Sequence, residues 1–419
     1  MAILFAVAAP RASSAQDDEP EVSATIDTTL EAGEADAEVP RRRFVKWNEY
    51  DGPITTFSFG AGLIWDFVGY TQDAESREQV GDLAGENGLR DFRLLARGKF
   101  KTKRPISWSM GYMYDGAEES WHWRQTGINI GIPEIAGQVF VGRTKEGFSA
   151  VKVMTGYYIW TPERSQALDA FIPILADGIK YTGYLPGPRL LLNLGWYSDV
   201  LGEGDSEKFA IYDHQFVTRL VWQPILSDEQ GKVLHLGVMG RDAKVDDGKI
   251  RMKSKPGVFL APNFLDTGSF PADDAHTAGF EAFYRTGPLM FAAELDWQDV
   301  HALDGSTPIY RGGDVAVVWN VTGETRPYNA RGGFFMPPSP KKTVFEGGIG
   351  GIEATLHLSF NDFDSGAHDG GKFWRASPVV LWHLTDALHM HFAYGYSKTE
   401  RLGLEGTTEF FQTRAAFYF

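Results

Sequence analysis

Apolar and polar residues alternate along this chain in segments of about ten positions, the period of an extended strand whose successive side chains point to opposite faces. The clearest run is 89–101, where Phe92, Leu94, Ala96 and Phe100 share one face and Arg93, Arg97, Lys99 and Lys101 the other. The pattern returns at Leu190, Leu192, Leu194 and Trp196 against Arg189, Asn193 and Gly195, and at Phe216, Leu220 and Trp222 against Gln215 and Arg219. Phe291, Leu295 and Trp297 oppose Glu294 and Asp296, while Ile352, Ala354, Leu356, Leu358 and Phe360 oppose Glu353, Thr355, His357 and Ser359. Charged faces recurring this often are costly in a dry sandwich core but are solvated in a water-filled lumen, and the apolar faces suit lipid. The predicted fold is all-β, a transmembrane antiparallel β-barrel of about 16 strands running from about Thr55 to Phe419.

The links between these segments alternate in length. Arg285-Thr286-Gly287-Pro288, Pro186-Gly187-Pro188 and Thr385-Asp386-Ala387 read as short periplasmic turns, whereas the polar stretches around 71–87, 200–210, 244–275 and 361–371 read as extracellular loops. Phe411, Phe417 and the terminal Phe419 share one face of the last segment, with Thr413 and Ala415 between them. A closing strand of this kind sets its final aromatic in the interfacial girdle.

Composition supports many strands joined by turns: 47 glycines, and 14% aromatic residues including 12 tryptophans. Cysteine is absent, which removes thiol nucleophiles, thiolate metal sites and disulfides together. The formal net charge of −15 argues against a nucleic-acid partner. The early apolar run Ala2 to Ala9 is far shorter than the roughly 20 residues of a spanning helix. With Ile3, Leu4, Phe5 and Val7 as a short apolar core and Ser13-Ser14-Ala15 as a small-residue cleavage site, residues 1–15 read as a partial export signal without its basic start. Residues 16–54, acidic up to Pro40 and then carrying Arg41-Arg42-Arg43, read as a disordered tether ahead of the barrel at 55–419.

Four stretches carry a resemblance to a known family. Leu89-Arg90-Asp91-Phe92-Arg93 through Arg97, Val141-Gly142-Arg143-Thr144-Lys145-Glu146-Gly147-Phe148-Ser149, Pro162-Glu163-Arg164-Ser165 and Val321-Thr322-Gly323-Glu324-Thr325-Arg326-Pro327-Tyr328 resemble the phosphate-selective porin O/P family. The last departs from the family's usual Leu-Thr-Gly-Glu in having Val321. The resemblance implies a 16-stranded homotrimeric porin in the outer membrane of a Gram-negative bacterium, surrounded by its lipids, with the third loop folded into the lumen. It implies passive diffusion of small hydrophilic solutes, anions such as phosphate being expected, and no cofactor. The constriction loop is expected at about 148–176, with Tyr157, Tyr158, Trp160, Glu163 and Arg164 at the narrowing.

Alternate residues of the basic row Arg93, Arg97, Lys99 and Lys101 stand about 7 Å apart, and Arg143 and Lys145 extend the set to the fifth strand. Arginine's planar fork matches phosphate oxygens, so a column of such sites passes anions stepwise. The same wall also suits a non-specific pore, in which basic residues facing acidic loops create a transverse field. Glu281, Glu294, Asp296 and Glu353, also expected inward, weigh against a strict phosphate preference. His389 and His391 share a face, with His357 and His383 nearby, but lumen histidines are expected to be solvated and no metal site is assigned. The chain has no Gly-x-Ser-x-Gly and no motif that fixes two carboxylates at a glycosidase separation, so catalysis is not expected. Two alternatives stay open: a lipase-like barrel enzyme, and a structural barrel whose lumen is plugged.

Overall fold

The computed structural model describes residues 46–164, 166–173, 175–198, 210, 212–227 and 231–419. The expected signal at 1–15, the tether as far as 45 and almost all of the expected loop at 200–210 lie outside these residues. Sixteen antiparallel strands close into one barrel. The first eight are β1 (Thr56–Gln72), β2 (Glu86–Lys99), β3 (Ile106–Asp115), β4 (Ser120–Trp123 continued by Thr126–Ile132), β5 (Gly137–Thr144), β6 (Ala176–Leu185), β7 (Leu190–Ser198) and β8 (Tyr212–Ser227). The others are β9 (Lys232–Val245), β10 (Phe270–Thr286), β11 (Leu289–Ala302), β12 (Ile309–Asn320), β13 (Gly351–Asp362), β14 (Lys372–His383), β15 (Leu388–Arg401) and β16 (Leu404–Tyr418). Each pairs with its sequence neighbour, and β16 returns to β1 in a register from Gly62 opposite Tyr418 to Gln72 opposite Thr408.

The alternation in the sequence becomes inside and outside. On β13, Leu356, Leu358 and Phe360 are exposed outward, while Glu353, Thr355, His357, Ser359 and Asn361 are buried in the lumen. Exposed tryptophans mark both ends of the outer wall, Trp222 and Trp319 near the end bearing the short turns, Trp297 and Trp374 near the opposite one. Before β1, Glu49–Asp51 pairs with Thr56–Ser58, Trp47 lies 5.3 Å from the ring of Phe419, and the Asn48 amide donates to the Phe59 carbonyl at 2.6 Å.

The first extracellular loop carries a short helix, α1 (Ala74–Val80). Asp73 caps it by accepting from the Ser76 amide at 2.8 Å, and Gly81, at φ 84°, turns the chain out of it. Gln79 donates to the Leu404 carbonyl at 2.7 Å, which folds this loop against the last hairpin.

The largest apolar cluster lies within the barrel, where three connecting segments turn inward. Phe148, Leu168 and Phe171 come from 145–175, Val258 and Phe264 from 246–269, and Phe334 and Phe335 from 321–350. The third insertion departs from the short-turn expectation, since 321–350 joins β12 to β13 at the turn end of the barrel. It makes its own small hairpin, Tyr328 opposite Phe335 and Asn329 opposite Phe334, with Gly333 at φ 64°. Its apolar run Phe334-Phe335-Met336 packs against lumen walls instead of lipid, which local alternation does not distinguish.

The outward rows predict a depth-dependent cost for charge. Leu358→Arg places a cation at the middle of the lipid face and should lower stability by about 2–4 kcal/mol in reversible urea unfolding from phospholipid vesicles. A loss below about 1 kcal/mol would put this position away from the bilayer midplane.

Candidate functional site

The narrowing is built on segment 145–175, which leaves β5 and folds against the walls of β1, β2, β9, β10 and β16. Its first residues are tied at once. Glu146 accepts from Arg241 of β9 at 3.0 Å, and the Lys145 ammonium donates to the Met154 carbonyl at 2.8 Å. Ser149 caps the short helix α2 (Ala150–Val153), whose first amide, that of Ala150, donates to Glu281 of β10 at 2.7 Å. A second helix, α3 (Gln166–Phe171), is joined to α2 by Lys152 and Asp169 at 2.9 Å and to β13 by Gln166 and Ser359 at 2.8 Å.

Between these helices lie the aromatics of the loop. The Tyr157 hydroxyl donates to Asp91 of β2 at 2.8 Å and its ring packs at a tilt against Tyr418, 4.6 Å between centroids. Gly62 makes this approach feasible, because a Cβ there would collide with the Tyr157 hydroxyl. Arg93 holds Asp91 at 2.7 Å and lies over the Tyr157 ring at 4.8 Å. Trp160 packs edge-on to Phe283 and under Arg326, and the Tyr158 carbonyl accepts from Arg326 at 2.7 Å.

Glu163 is clamped by two wall arginines, Arg90 at 3.1 Å and Arg414, which also holds Asp66 at 2.7 Å and donates to the Pro162 carbonyl. Burial alone would raise its pKa, but the two guanidiniums outweigh it and bring the Glu163 carboxyl down to about 2. Arg164 turns the other way, donating to the carbonyls of Val151 at 3.2 Å and Met154 at 2.8 Å. These two carbonyls orient the guanidinium within the loop. A methyl group on Gly156 would sit 3.5 Å from Arg164 and 3.7 Å from Arg93, so two guanidiniums converge on this turn of the loop.

The residues expected from sequence thus separate into groups. Arg93, Tyr157, Tyr158, Trp160, Glu163 and Arg164 come together at the inward loop, with Lys145 at its base. Arg97 follows Arg93 on the same face of β2, half-buried, and Lys99 is exposed at the strand's end. Lys101 lies beyond β2 and pairs with Asp51 at 2.7 Å. Arg143 is buried against Asp177 at 3.2 Å and the Trp123 carbonyl at 2.9 Å. Of the inward carboxylates, Glu281 binds Arg219 and His235, Glu353 binds Arg326, and Glu294 and Asp296 are buried beneath the loop.

Sequence reasoning missed the second half of the site. Arg326, in the insertion from the turn end, forms a two-pronged pair with Glu353 at 2.6 and 2.7 Å while reaching Tyr158 and Trp160 of the loop from the other end. Arg219 donates to the Gly333 carbonyl at 2.7 Å, and His235 meets the Tyr328 hydroxyl at 2.7 Å. Only the uncommon length of 321–350 signalled this beforehand.

A closed 16-stranded barrel with an inward third loop has known counterparts. The phosphate-selective porin O and P family matches residues 57–419. This chain belongs to that family. It is a porin of the Gram-negative outer membrane, and a channel architecture rather than an enzyme. A curated protein of Caulobacter vibrioides is 31% identical over 181 residues, which covers 42% of the present porin and 36% of the relative, so the match spans about a third of that protein's length. Among solved structures, the anion-selective porin from Comamonas acidovorans superposes with a TM-score of 0.57 at 12% identity, over 87% of this porin and 100% of that chain. The outer-membrane channel DcaP of Acinetobacter baumannii gives 0.56 at 10% identity, over 88% and 99%. The trimer form of OmpT of Vibrio cholerae gives 0.54 at 11% identity, over 87% and 100%.

Two predictions follow from the anchoring of the loop. A carboxyl held down to about 2 contributes its clamp above the ordinary carboxylate range near 4.3 and loses it as pH falls through about 2. Single-channel current should therefore stay quiet from pH 7 to 4 and fluctuate only near pH 2, whereas Glu163→Gln should fluctuate at pH 7. Arg326→Ala leaves Glu353 buried without its partner and should cost about 3–5 kcal/mol in urea unfolding, with a larger open-channel current as both insertions loosen.

Proposed function

We propose that this porin is a diffusion channel that favours small anions, phosphate among them, and that its preference arises where the inward loop narrows the lumen. The observation that carries this reading is the convergence of Arg93 and Arg164 on the turn at Gly156. Water is scarce and the dielectric low beside packed aromatics, so two guanidiniums there raise the local concentration of anions and oppose cations. Arg97 and Lys99 continue the positive field toward the turn-end mouth and Lys145 adds to it from the base of the loop, whereas Lys101 and Arg143 are offset by Asp51 and Asp177. Each guanidinium offers a planar fork suited to phosphate oxygens, and a succession of such groups passes an anion without holding it. The Comamonas porin of similar fold is described as anion-selective, which agrees with this assignment. We also propose a homotrimer in which each barrel conducts separately; the Vibrio OmpT of similar fold has a trimer form.

The test is a reversal potential measured in a potassium chloride gradient at low salt. The unmodified porin should prefer chloride and conduct in groups of three steps, and added phosphate should reduce the chloride current. The double variant Arg93→Glu, Arg164→Glu should shift the reversal potential toward cations while the barrel stays folded, and the shift should shrink as salt screens charge over about 10 Å at 0.1 M. An unchanged potential in the folded double variant would remove these residues from the selective step.

A further inference from the structure

The outer face of the barrel carries a second constellation, remote from the lumen. Strands β10 and β11 each contain an Asp-x-His triplet, Asp274-Ala275-His276 and Asp299-Val300-His301. Residues two apart share a face, and the antiparallel register sets Asp274 opposite His301 and His276 opposite Asp299. Two imidazoles and two carboxylates therefore occupy alternate corners of one rectangle, all pointing outward. Trp297, which faces His276 diagonally one row nearer the bilayer, places this rectangle just outside the lipid belt on the extracellular side.

Three of the four bring donor atoms together: Asp274 Oδ1 lies 4.0 Å from His276 Nδ1 and 2.5 Å from His301 Nδ1. Asp299 Oδ2 lies 3.2 Å from His276 Nδ1 and 3.8 Å from Nε2, the other ring nitrogen of His301, so Asp299 stands beside the set as a neighbouring carboxylate. A tetrahedral zinc ion with bonds of about 2.0–2.2 Å sets its donors roughly 3.3–3.6 Å apart, between the two distances made by Asp274 Oδ1. Among the described residues, Asp274, His276 and His301 have ligand atoms all within 4.8 Å of one another. The two ring nitrogens of His276 are also distinguished. On the far side, Nε2 meets Asp242 of β9 at 2.9 Å, its cross-strand partner in the register. A carboxylate there accepts a hydrogen bond from Nε2–H and leaves the Nδ1 lone pair facing Asp274 and His301, the arrangement that orients a metal-binding histidine. Lys244 of β9 is engaged by Asp273 at 2.5 Å. Asp242, Asp274 and Asp299 surround the two imidazoles with negative charge, which a divalent ion offsets.

We propose that Asp274, His276 and His301 form a surface site for a divalent transition metal, zinc by its ligand set, with the fourth position taken by water and Asp242 as the carboxylate that orients His276. Mixed nitrogen and oxygen donors favour zinc over the hard cations magnesium and calcium, which take oxygen ligands. The strands hold all four residues on a hydrogen-bonded frame, so little ordering accompanies binding.

The test uses the full chain without a histidine tag, folded in detergent and stripped with a chelator, titrated with zinc chloride by calorimetry at pH 7.5. One zinc per chain is expected, undiminished by millimolar magnesium. The double variant His276→Ala, His301→Ala should weaken this binding more than 100-fold, and Asp242→Asn by 10- to 100-fold. Folding of each variant is read from heat-modifiable migration on gels, and conductance should match the unmodified porin because the site lies outside the pore. Absence of zinc binding in the folded porin, binding unaltered in the double variant, or equal displacement by magnesium would each overturn the proposal.

Discussion

A peptide group in hydrocarbon has no water to bond, so every strand of this porin depends on the strand beside it. The sheet meets that demand only by closing, and the pairing of β16 with β1 from Gly62 to Gln72 completes the ring. Closure then makes the two-residue period absolute. Each side chain belongs to the lipid or to the lumen, and a one-residue slip would reverse every face. The leucine, phenylalanine and tryptophan rows outside and the charged rows inside follow from this one constraint, as does the outward placement of the two Asp-x-His triplets where the strands rise above the lipid.

Within the ring, charge acts as a fastener. Arg414 with Asp66 and Glu163, Arg241 with Glu146, Arg219 with Glu281, and Arg326 with Glu353 each join an inserted segment to the wall or brace the wall beneath it. Removing such groups from water is costly, and the cost is offset only where the geometry is close and the remaining hydrogen-bonding positions are filled. Arg326 satisfies both conditions by engaging Glu353 with two nitrogens and the Tyr158 carbonyl with one. Insertions entering from opposite ends thus meet at one residue, and the lumen is shaped by their junction as much as by the third loop. Arg164 differs in binding backbone carbonyls of its own loop, those of Val151 and Met154.

How much of this was legible in the chain depends on the range of the interaction. The strand pattern, the short turns at 186–188, 285–288 and 385–387, the closing aromatic strand and the inward face of Arg93 and Arg97 were all determined by the sequence alone, because alternation and turn chemistry act between residues a few positions apart. The inward loop was legible from its length and mixed composition, and Tyr157, Trp160, Glu163 and Arg164 stood out as its unusual residues. Tertiary structure decided which of the basic residues converge. Arg93 and Arg164 meet only because Gly62 admits Tyr157 and Arg414 holds Glu163, contacts between residues far apart in the chain. It also directed Arg143 to Asp177, brought 321–350 into the lumen, and set Asp274 opposite His301. Local periodicity assigns a residue its face, but its neighbours across the barrel depend on the register and on which segments fold inward, and those are settled by packing and charge pairing over the whole closed sheet.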